Sequence, residues 1–202
     1  MSGWHKKRRV IKGYDTTASI YDRRYAEEQA AKVEAALKNV RIEKEGLILD
    51  VGCGTGILFD HVADQVDEIV GLDFSKKCLL QAKERISNKS VRNVQLILAD
   101  ADNMPFHNKV FSTVFAMTIL QNMPRPSKTL SEIKRVSRND AFFVVSGLKK
   151  IFTKKSFERL LKDSQLNTLM LDDEKLKCYV AVCTNPRSLA LLQARKRFDT
   201  SH

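Results

Sequence analysis

The sequence predicts an α/β protein built on a mostly parallel sheet of seven strands flanked by helices. Short apolar runs that favour strands alternate with segments of helical periodicity, which is typical of βαβ units. The first apolar run leads into a turn with three glycines, and each of the first three runs closes on an aspartate, namely Asp50, Asp73 and Asp100. Because ligands of parallel sheets bind beyond the carboxyl ends of the strands, we expect these aspartates to meet at one edge.

The individual elements follow from periodicity and from the residues that cap or interrupt them. The predicted strands are Leu47–Val51, Val66–Leu72, Val94–Ala99, Val110–Met117, Ala141–Val145, Asn167–Leu171 and Lys177–Cys183. The predicted helices are Ala18–Val40, Ile57–Ala63, Ser75–Ile86, Ser127–Val136, one that includes Phe157–Leu161, and Ser188–Arg197. Residues 1–12 are basic and aperiodic, so we expect a mobile N-terminal arm. No repeat or linker interrupts residues 13–202, which we expect to form a single domain.

Composition narrows the class of protein. The chain has 202 residues, of which 43% are hydrophobic, as expected for one globular domain with a sizeable core. No apolar run is long enough to cross a bilayer and no secretory signal opens the chain, which predicts a cytoplasmic protein without a membrane partner. The four cysteines form no C-x-x-C pair and the four histidines are scattered, which predicts reduced thiols and no metal site.

The charge of the chain favours a polyanionic partner. Lysine and arginine number 35 against 24 aspartates and glutamates, a formal net charge of +11. The basic residues also cluster, in residues 5–9, 149–155 and 195–197. Such runs are compatible with a solvated surface, but their number predicts binding to nucleic acid, and to RNA first.

The glycine turn reads Asp50-Val51-Gly52-Cys53-Gly54-Thr55-Gly56. Glycine adopts positive φ without strain and lets the backbone approach a ligand, so this turn is expected to lie close to one. A dinucleotide-binding turn would carry a further glycine where this chain has Ile57, and the Gly-Lys-Ser/Thr ending of a phosphate-binding P-loop is absent. The pattern therefore predicts a close ligand that is not a dinucleotide.

The aspartates after the turn have the spacing of a nucleoside pocket. Asp73 follows the glycine turn by roughly 20 residues, the usual place of an acid that accepts two hydrogen bonds from a ribose diol. Asp100 and the backbone N–H of Ala101 suit the amino group and a ring nitrogen of adenine. Phe74 and Met104 are candidates to cover the faces of the ring.

Together these motifs resemble those of the class I S-adenosylmethionine-dependent methyltransferases, in particular the compact enzymes of the methyltransferase domain 11 and 25 type. The resemblance covers residues 47–147, includes the loop from Asp102 to Phe106, and implies a Rossmann-like fold with S-adenosyl-L-methionine as cofactor. It implies that Gly52 and Gly54, with Asp50 beside them, approach the methionine part. It likewise implies that Asp73 binds the ribose and that Asp100 with Ala101 binds the adenine.

The N-terminal segment adds to this resemblance. Gly13-Tyr14-Asp15 and the later Tyr21-Asp22-x-x-Tyr25 are similar to an entry segment that folds over the cofactor as a lid in many small enzymes of this family. The resemblance implies a helical lid over residues 13–40, with Tyr14 and Tyr21 in contact with the cofactor. Alternatively, Tyr21 and Tyr25 pack the helix against the sheet.

The segment after the fourth predicted strand is where this family usually binds the methyl acceptor. It departs from the Asn/Asp-Pro-Pro-Tyr/Phe motif of the amino-methylating enzymes, but Gln121 and Asn122 can accept hydrogen bonds from an amine and are the candidate catalytic residues. They can equally form a polar turn before the next helix.

Three functions agree with these patterns. The first is methylation of a base in ribosomal or transfer RNA, at an exocyclic amine, by an archaeal-type enzyme. The alternatives are methylation of a small molecule or a protein side chain, and a non-catalytic, cofactor-binding protein associated with RNA. The acceptor atom and the oligomeric state stay open.

Overall fold

The computed structural model describes residues 3–40, 42–172 and 176–186, without the side chains at positions 19, 21–24 and 172. The helices are α1 (Gly3–Leu37), α2 (Phe59–Val62), α3 (Lys76–Asn88), α4 (Pro126–Val136) and α5 (Lys154–Asp163). The strands are β1 (Leu47–Val51), β2 (Glu68–Asp73), β3 (Val94–Leu98), β4 (Phe111–Ala116), β5 (Ser137–Leu148), β6 (Asn167–Asp172) and β7 (Cys178–Thr184). Short 3-10 turns occupy Ala63–Gln65 and Leu120–Asn122.

The seven strands form one sheet in the order β3-β2-β1-β4-β5-β7-β6. The first five strands are parallel, and β7 runs antiparallel to both β5 and β6. This confirms the predicted α/β fold with a mostly parallel, seven-stranded, Rossmann-like sheet flanked by helices. The predicted helix over residues 188–197 lies outside the described residues.

Both faces of the sheet are covered, which is why the central strands are continuous apolar runs. One face packs under α4 and α5, with Leu130 and Phe157 fully buried. The other packs under α1, α2 and α3, where Ala36, Phe59 and Ala82 are buried. No helix in the described ranges is long and apolar enough to span a membrane.

The N-terminal residues differ from the prediction. Residues 3–12 are not a mobile arm but the first turns of α1, which runs unbroken to Leu37. Lys7 is only 6% exposed, and its Nζ lies 2.7 Å from Asp100 Oδ1 and 2.6 Å from Asp102 Oδ2. Local periodicity missed this because the segment is anchored by carboxylates that lie 93 and more residues away along the chain.

We expect the substitution Lys7→Met to release the start of α1 and to lower the free energy of unfolding by about 3 kcal/mol, because two neighbouring carboxylates lose their cation. Amide hydrogen exchange should become faster in residues 3–12. Arg9→Met, which removes an exposed charge two positions later, is the matched control and should change stability by less than about 0.5 kcal/mol. Unchanged exchange in the Lys7 variant would show that the ion pairs do not hold the helix.

Candidate active site

A cavity opens at the carboxyl edge of the sheet, between α1 and the ends of β1 to β4. Its empty space is about 950 Å³, including the part open to solvent. The sequence-predicted residues that line it are Tyr14, Asp50, Gly52, Gly54, Asp73, Phe74, Asp100, Ala101 and Asn122. Gln121 is not part of the lining, and the side chain of Tyr21 is outside the described part of the chain. Met104, a candidate for the ring face, is buried in the core.

The glycine turn uses its glycines for two different purposes. Gly52, Gly54 and Gly56 all have positive φ, at 73°, 56° and 80°. A Cβ added at Gly54 would meet no atom within 4 Å, so this position faces open space in the cavity. A Cβ at Gly56 would lie 2.6 Å from Cδ2 of the buried ring of Phe59. Gly54 therefore leaves room for a ligand, whereas Gly56 leaves room for the core.

This difference predicts different outcomes for two alanine substitutions. Gly56→Ala should lower the free energy of unfolding by about 2–4 kcal/mol, from backbone strain together with overpacking against Phe59. Gly54→Ala carries the strain alone, about 1 kcal/mol, but narrows the cavity and should weaken ligand binding. Urea titrations and ligand titrations of the two variants measure the two effects, and similar losses of stability would contradict the assignment.

Asp73 is held rigidly at the end of β2. Its Oδ2 accepts a hydrogen bond from the Gly54 N–H at 2.9 Å, and its Oδ1 accepts one from the Ser75 N–H at 2.8 Å. Burial raises the pKa of the carboxyl group above its ordinary value, although the backbone donors lower it in part. Each oxygen retains capacity for a second hydrogen bond, which is the arrangement that a ribose diol requires.

Asp50 lies deeper, at the end of β1, and is 4% exposed. Burial, together with the nearby charge of Asp73, raises the pKa of Asp50 from 3.8 to about 8. A positively charged group in the cavity would favour the ionised form. Asp50 can therefore become ionised when a cationic ligand binds beside it.

Asp100 is shared between the cavity and α1. Both carboxylate oxygens accept from Lys7 Nζ at 2.7 Å, and Oδ1 also accepts from the Asp102 N–H at 3.0 Å. A carboxylate offers about four acceptor positions, so capacity for a further donor remains. Sequence reasoning missed Lys7. A signal for Lys7 was present in the sequence. Lys7, Val10 and Tyr14 stand at positions i, i+3 and i+7, which share one face of a helix. Val10 and Tyr14 line the cavity, so Lys7 on the same face lies close to it.

The lid predicted over residues 13–40 falls on α1 as far as Leu37, and this helix contacts the site at two points. The hydroxyl of Tyr14 accepts a hydrogen bond from Asn122 Nδ2 at 3.0 Å, and burial raises the pKa of Tyr14. Asp15 accepts from the hydroxyl of Ser75 at 2.6 Å, at the residue that caps α3. These contacts hold α1 against the segment after β4 and against the start of α3.

The segment after β4 is organised around Thr118, another residue that sequence reasoning missed. Thr118 has φ of 62°, a left-handed conformation that costs a β-branched residue about 1–3 kcal/mol. Its carbonyl accepts from Gln121 Nε2 at 2.7 Å and from Asn122 Nδ2 at 3.1 Å, and its N–H donates to Ser146 Oγ at 2.7 Å. These hydrogen bonds compensate the backbone strain at Thr118. The local sequence contains no pattern that predicts a left-handed conformation for this threonine.

Two further observations complete the chemistry of the site. Gln121 Oε1 is buried and finds no hydrogen-bond donor among the described residues. Over the same ranges no group of three or more histidine, cysteine, aspartate or glutamate side chains is arranged to hold a metal ion. The site thus offers carboxylates, amides and backbone groups to an organic ligand.

Comparisons with known proteins indicate a methyltransferase domain. A family described as "Methyltransferase domain" matches residues 49–145. An uncharacterized protein from Methanocaldococcus jannaschii is 28% identical over 186 residues, which cover 86% of this chain and 70% of that protein. The phosphatidylethanolamine N-methyltransferase of Cereibacter sphaeroides is 32% identical over 130 residues, which cover 63% of this chain and 62% of that enzyme. This chain thus spans less than two thirds of the enzyme's length.

Among solved structures, the S-adenosylmethionine-dependent methyltransferase of Aquifex aeolicus superposes with a TM-score of 0.68 at 17% identity. The superposition covers 75% of this chain and 88% of that one. At this level of identity the likeness concerns the fold.

Proposed function

We propose that this chain, which belongs to the class I S-adenosylmethionine-dependent methyltransferases, methylates a base in ribosomal or transfer RNA at an exocyclic amine. The cofactor is S-adenosyl-L-methionine, which supplies an activated methyl group on a sulfonium when it is bound. The choice of RNA rests on one observation, the formal net charge of +11 together with lysines close to the cavity.

Three lysines carry this observation. Lys6 on α1 donates from Nζ to the carbonyl of Met123 at 2.8 Å. Lys177 is exposed, and its Nζ lies 3.1 Å from Glu28 Oε2 on α1. Lys149, the residue after β5, donates its backbone N–H to the carbonyl of Lys177 at 3.0 Å. Lys6 contacts the segment after β4, and Lys177 is linked to it through Glu28 and Lys32. These lysines suit a polyanion whose phosphates pass across the opening.

The same proposal assigns the cofactor-binding residues, and the place of the acceptor beside them, from the order of the strands. Adjacent strands β3, β2, β1 and β4 bring Asp100, Asp73, Gly54 and Thr118 into a row along the cavity. Asp100 and the N–H of Ala101 would hold the adenine, and Asp73 would accept the ribose hydroxyls. The glycine turn would lie against the methionine part, with the carboxylate of Asp50 facing its positive charge. The methyl group would then face the segment after β4.

An amine acceptor agrees with the polar groups of that segment. The amide nitrogen of Asn122 is engaged by Tyr14 and by the carbonyl of Thr118, so its oxygen is the group that it can offer. This oxygen favours a ligand that donates N–H.

A second candidate is an amine in a small molecule or a protein side chain. It is favoured by the similarity to an enzyme named for N-methylation of phosphatidylethanolamine. Salt separates the two candidates, because RNA binding through several phosphates weakens log-linearly with salt whereas a small neutral acceptor is little affected.

The test is transfer of labelled methyl groups to RNA from cells that lack the gene, followed by mass spectrometry of the nucleosides. We expect one methylated base to appear in the RNA. Label in a metabolite, lipid or protein fraction alone would favour the second candidate. Cofactor binding without transfer to any fraction would favour a non-catalytic protein.

Charge variants give an independent measurement. The double variant Lys149→Gln, Lys150→Gln should weaken RNA binding and reduce the slope of log affinity against log salt by about 2. Lys83→Gln, Lys128→Gln removes the same charge from exposed positions on α3 and α4 and should leave the slope nearly unchanged. Equal slopes in both double variants would argue against RNA at this opening.

A further inference from the structure

A polar cluster around the buried Lys32 lies at the β4 end of the cavity. Lys32 on α1 is 1% exposed, yet its Nζ forms an ion pair with Glu28 Oε1 at 2.9 Å. The same Nζ donates to Thr118 Oγ1 at 3.3 Å. The hydroxyl of Thr118 in turn donates to Gln29 Oε1 at 3.2 Å. Gln29 and Thr118 line the cavity, whereas Lys32 and Glu28 are not part of its lining.

These contacts determine what the Thr118 hydroxyl can offer a ligand. An ammonium group can only donate, so Thr118 Oγ1 must accept from Lys32. Its single proton is committed to Gln29. A hydroxyl has one proton and two lone pairs, so the capacity that remains is one lone pair. Toward the cavity, Thr118 is therefore a hydrogen-bond acceptor.

The ion pair secures this arrangement. Burial favours the neutral form of Glu28, but Lys32 and Lys177 outweigh it, and the pKa of Glu28 is lowered. Glu28 stays ionised, and Lys32 keeps a countercharge in a site where a lone ammonium would be costly. The left-handed backbone of Thr118, held by Ser146 and by the amides of Gln121 and Asn122, keeps the side chain against α1.

From this geometry we infer that Thr118 selects the methyl acceptor, with Lys32 as its positioning residue: the hydroxyl accepts a hydrogen bond from an acceptor group that carries N–H and so orients the nitrogen lone pair toward the methyl group. The inference rests on the proposed function for the location of the acceptor, and it names the residues that make an amine the preferred acceptor. In the transfer, the nitrogen lone pair forms the N–C bond while the C–S bond breaks with its electron pair left on sulfur. The nitrogen then loses one proton to solvent.

The test compares Thr118→Val, which keeps the shape and removes the hydroxyl, with Thr118→Ser, which keeps the hydroxyl. The acceptor is the RNA from cells that lack the gene. We expect Thr118→Val to lose about 10- to 100-fold in kcat/KM, and Thr118→Ser to stay within about threefold of the natural chain. Affinity for S-adenosylhomocysteine should change by less than about threefold in both variants, because the cofactor residues are untouched.

Lys32→Met tests the positioning role. If Lys32 acts through Thr118, the double variant Lys32→Met, Thr118→Val should lose no more kcat/KM than Thr118→Val alone. The same comparison applies to the urea midpoints of the natural chain, the two single variants and the double variant, measured without ligand. The shift of the midpoint in the double variant should differ from the sum of the two single shifts. This tests the contact independently of activity. Lys38→Met, an exposed lysine just beyond the end of α1, is the control and should be additive with Thr118→Val.

The outcomes separate this inference from the proposed function. Full kcat/KM in Thr118→Val, additive effects of the two variants, or methylation of an oxygen in RNA would overturn the role of Thr118 while leaving RNA as substrate. Methylation of a nitrogen in a lipid or metabolite by the natural chain would overturn RNA, and the same variants would then be measured on that acceptor. Parallel losses of kcat/KM and of S-adenosylhomocysteine affinity in Thr118→Val would show damage to the site and would also overturn the inference.

Discussion

Asp73→Ala should lower the affinity for S-adenosyl-L-methionine by about 100-fold or more. The ribose hydroxyls would lose two charge-assisted hydrogen bonds to the carboxylate, each worth about 1.5–3 kcal/mol. The N–H groups of Gly54 and Ser75 would also lose their acceptor, so the glycine turn would be less well held. Calorimetric titration with the cofactor and with S-adenosylhomocysteine measures the loss.

The isosteric variant Asp73→Asn sharpens this prediction. Both carboxylate oxygens face backbone N–H donors, so an amide at this position can satisfy one of them and must turn its own N–H toward the other. We therefore expect Asp73→Asn to be nearly as impaired as Asp73→Ala, contrary to what a conservative change implies. Asp64→Asn, at an exposed position before β2, is the control for loss of a charge. An affinity of Asp73→Asn within threefold of the natural chain would contradict the assignment of the ribose to this residue.

Asp50→Asn should change the pH dependence of stability in the absence of ligand. In the folded chain the pKa of Asp50 is about 8, against 3.8 as its ordinary value. Between these two values the folded state holds a proton that the unfolded chain has lost, so the contribution of Asp50 to stability falls as the pH rises. The slope approaches about 1.4 kcal/mol per pH unit at most. The asparagine variant lacks this slope, and it should be more stable than the natural chain at pH 8.

Urea titrations without ligand at several pH values between 5 and 9 measure this effect. The cofactor should reverse the advantage of the variant. Its positive charge favours the ionised carboxylate, so binding to the natural chain below pH 8 should release a proton and binding to Asp50→Asn should not. Calorimetry in buffers of different ionisation enthalpy counts the protons. Equal proton release by both proteins would show that Asp50 does not face the cofactor.

Much of the site could be predicted from the sequence because it lies at strand ends. In a parallel sheet the carboxyl ends of adjacent strands meet, so Asp50, Asp73 and Asp100 had to converge once their strands were identified. The glycine turn was equally visible, because few residues other than glycine adopt positive φ without strain. The sequence did not show that Gly54 leaves room for a ligand whereas Gly56 leaves room for the core, because this difference depends on the position of the Phe59 ring.

Strand β5 shows a limit of local patterns. Its first residues, Ser137 to Asp140, are polar and have little preference for strands, and the sequence predicts a start at Ala141. In the fold the strand begins at Ser137, which pairs with Phe111 of β4, and its hydroxyl donates to the carbonyl of Ile133 at 2.6 Å. Pairing with a neighbouring strand outweighs the local preference of these residues.

The sequence by itself determined the sheet, the glycine turn and the row of aspartates, because each depends on neighbours in the chain and on the direction of parallel strands. Only the tertiary structure decided what α1 does. Lys7 meets Asp100 and Asp102, and Lys32 meets Thr118, across separations of 86 or more residues. A lysine in a helix has the same local pattern whether it is solvated or buried, and only the carboxylates and hydroxyls that the fold brings to it distinguish the two.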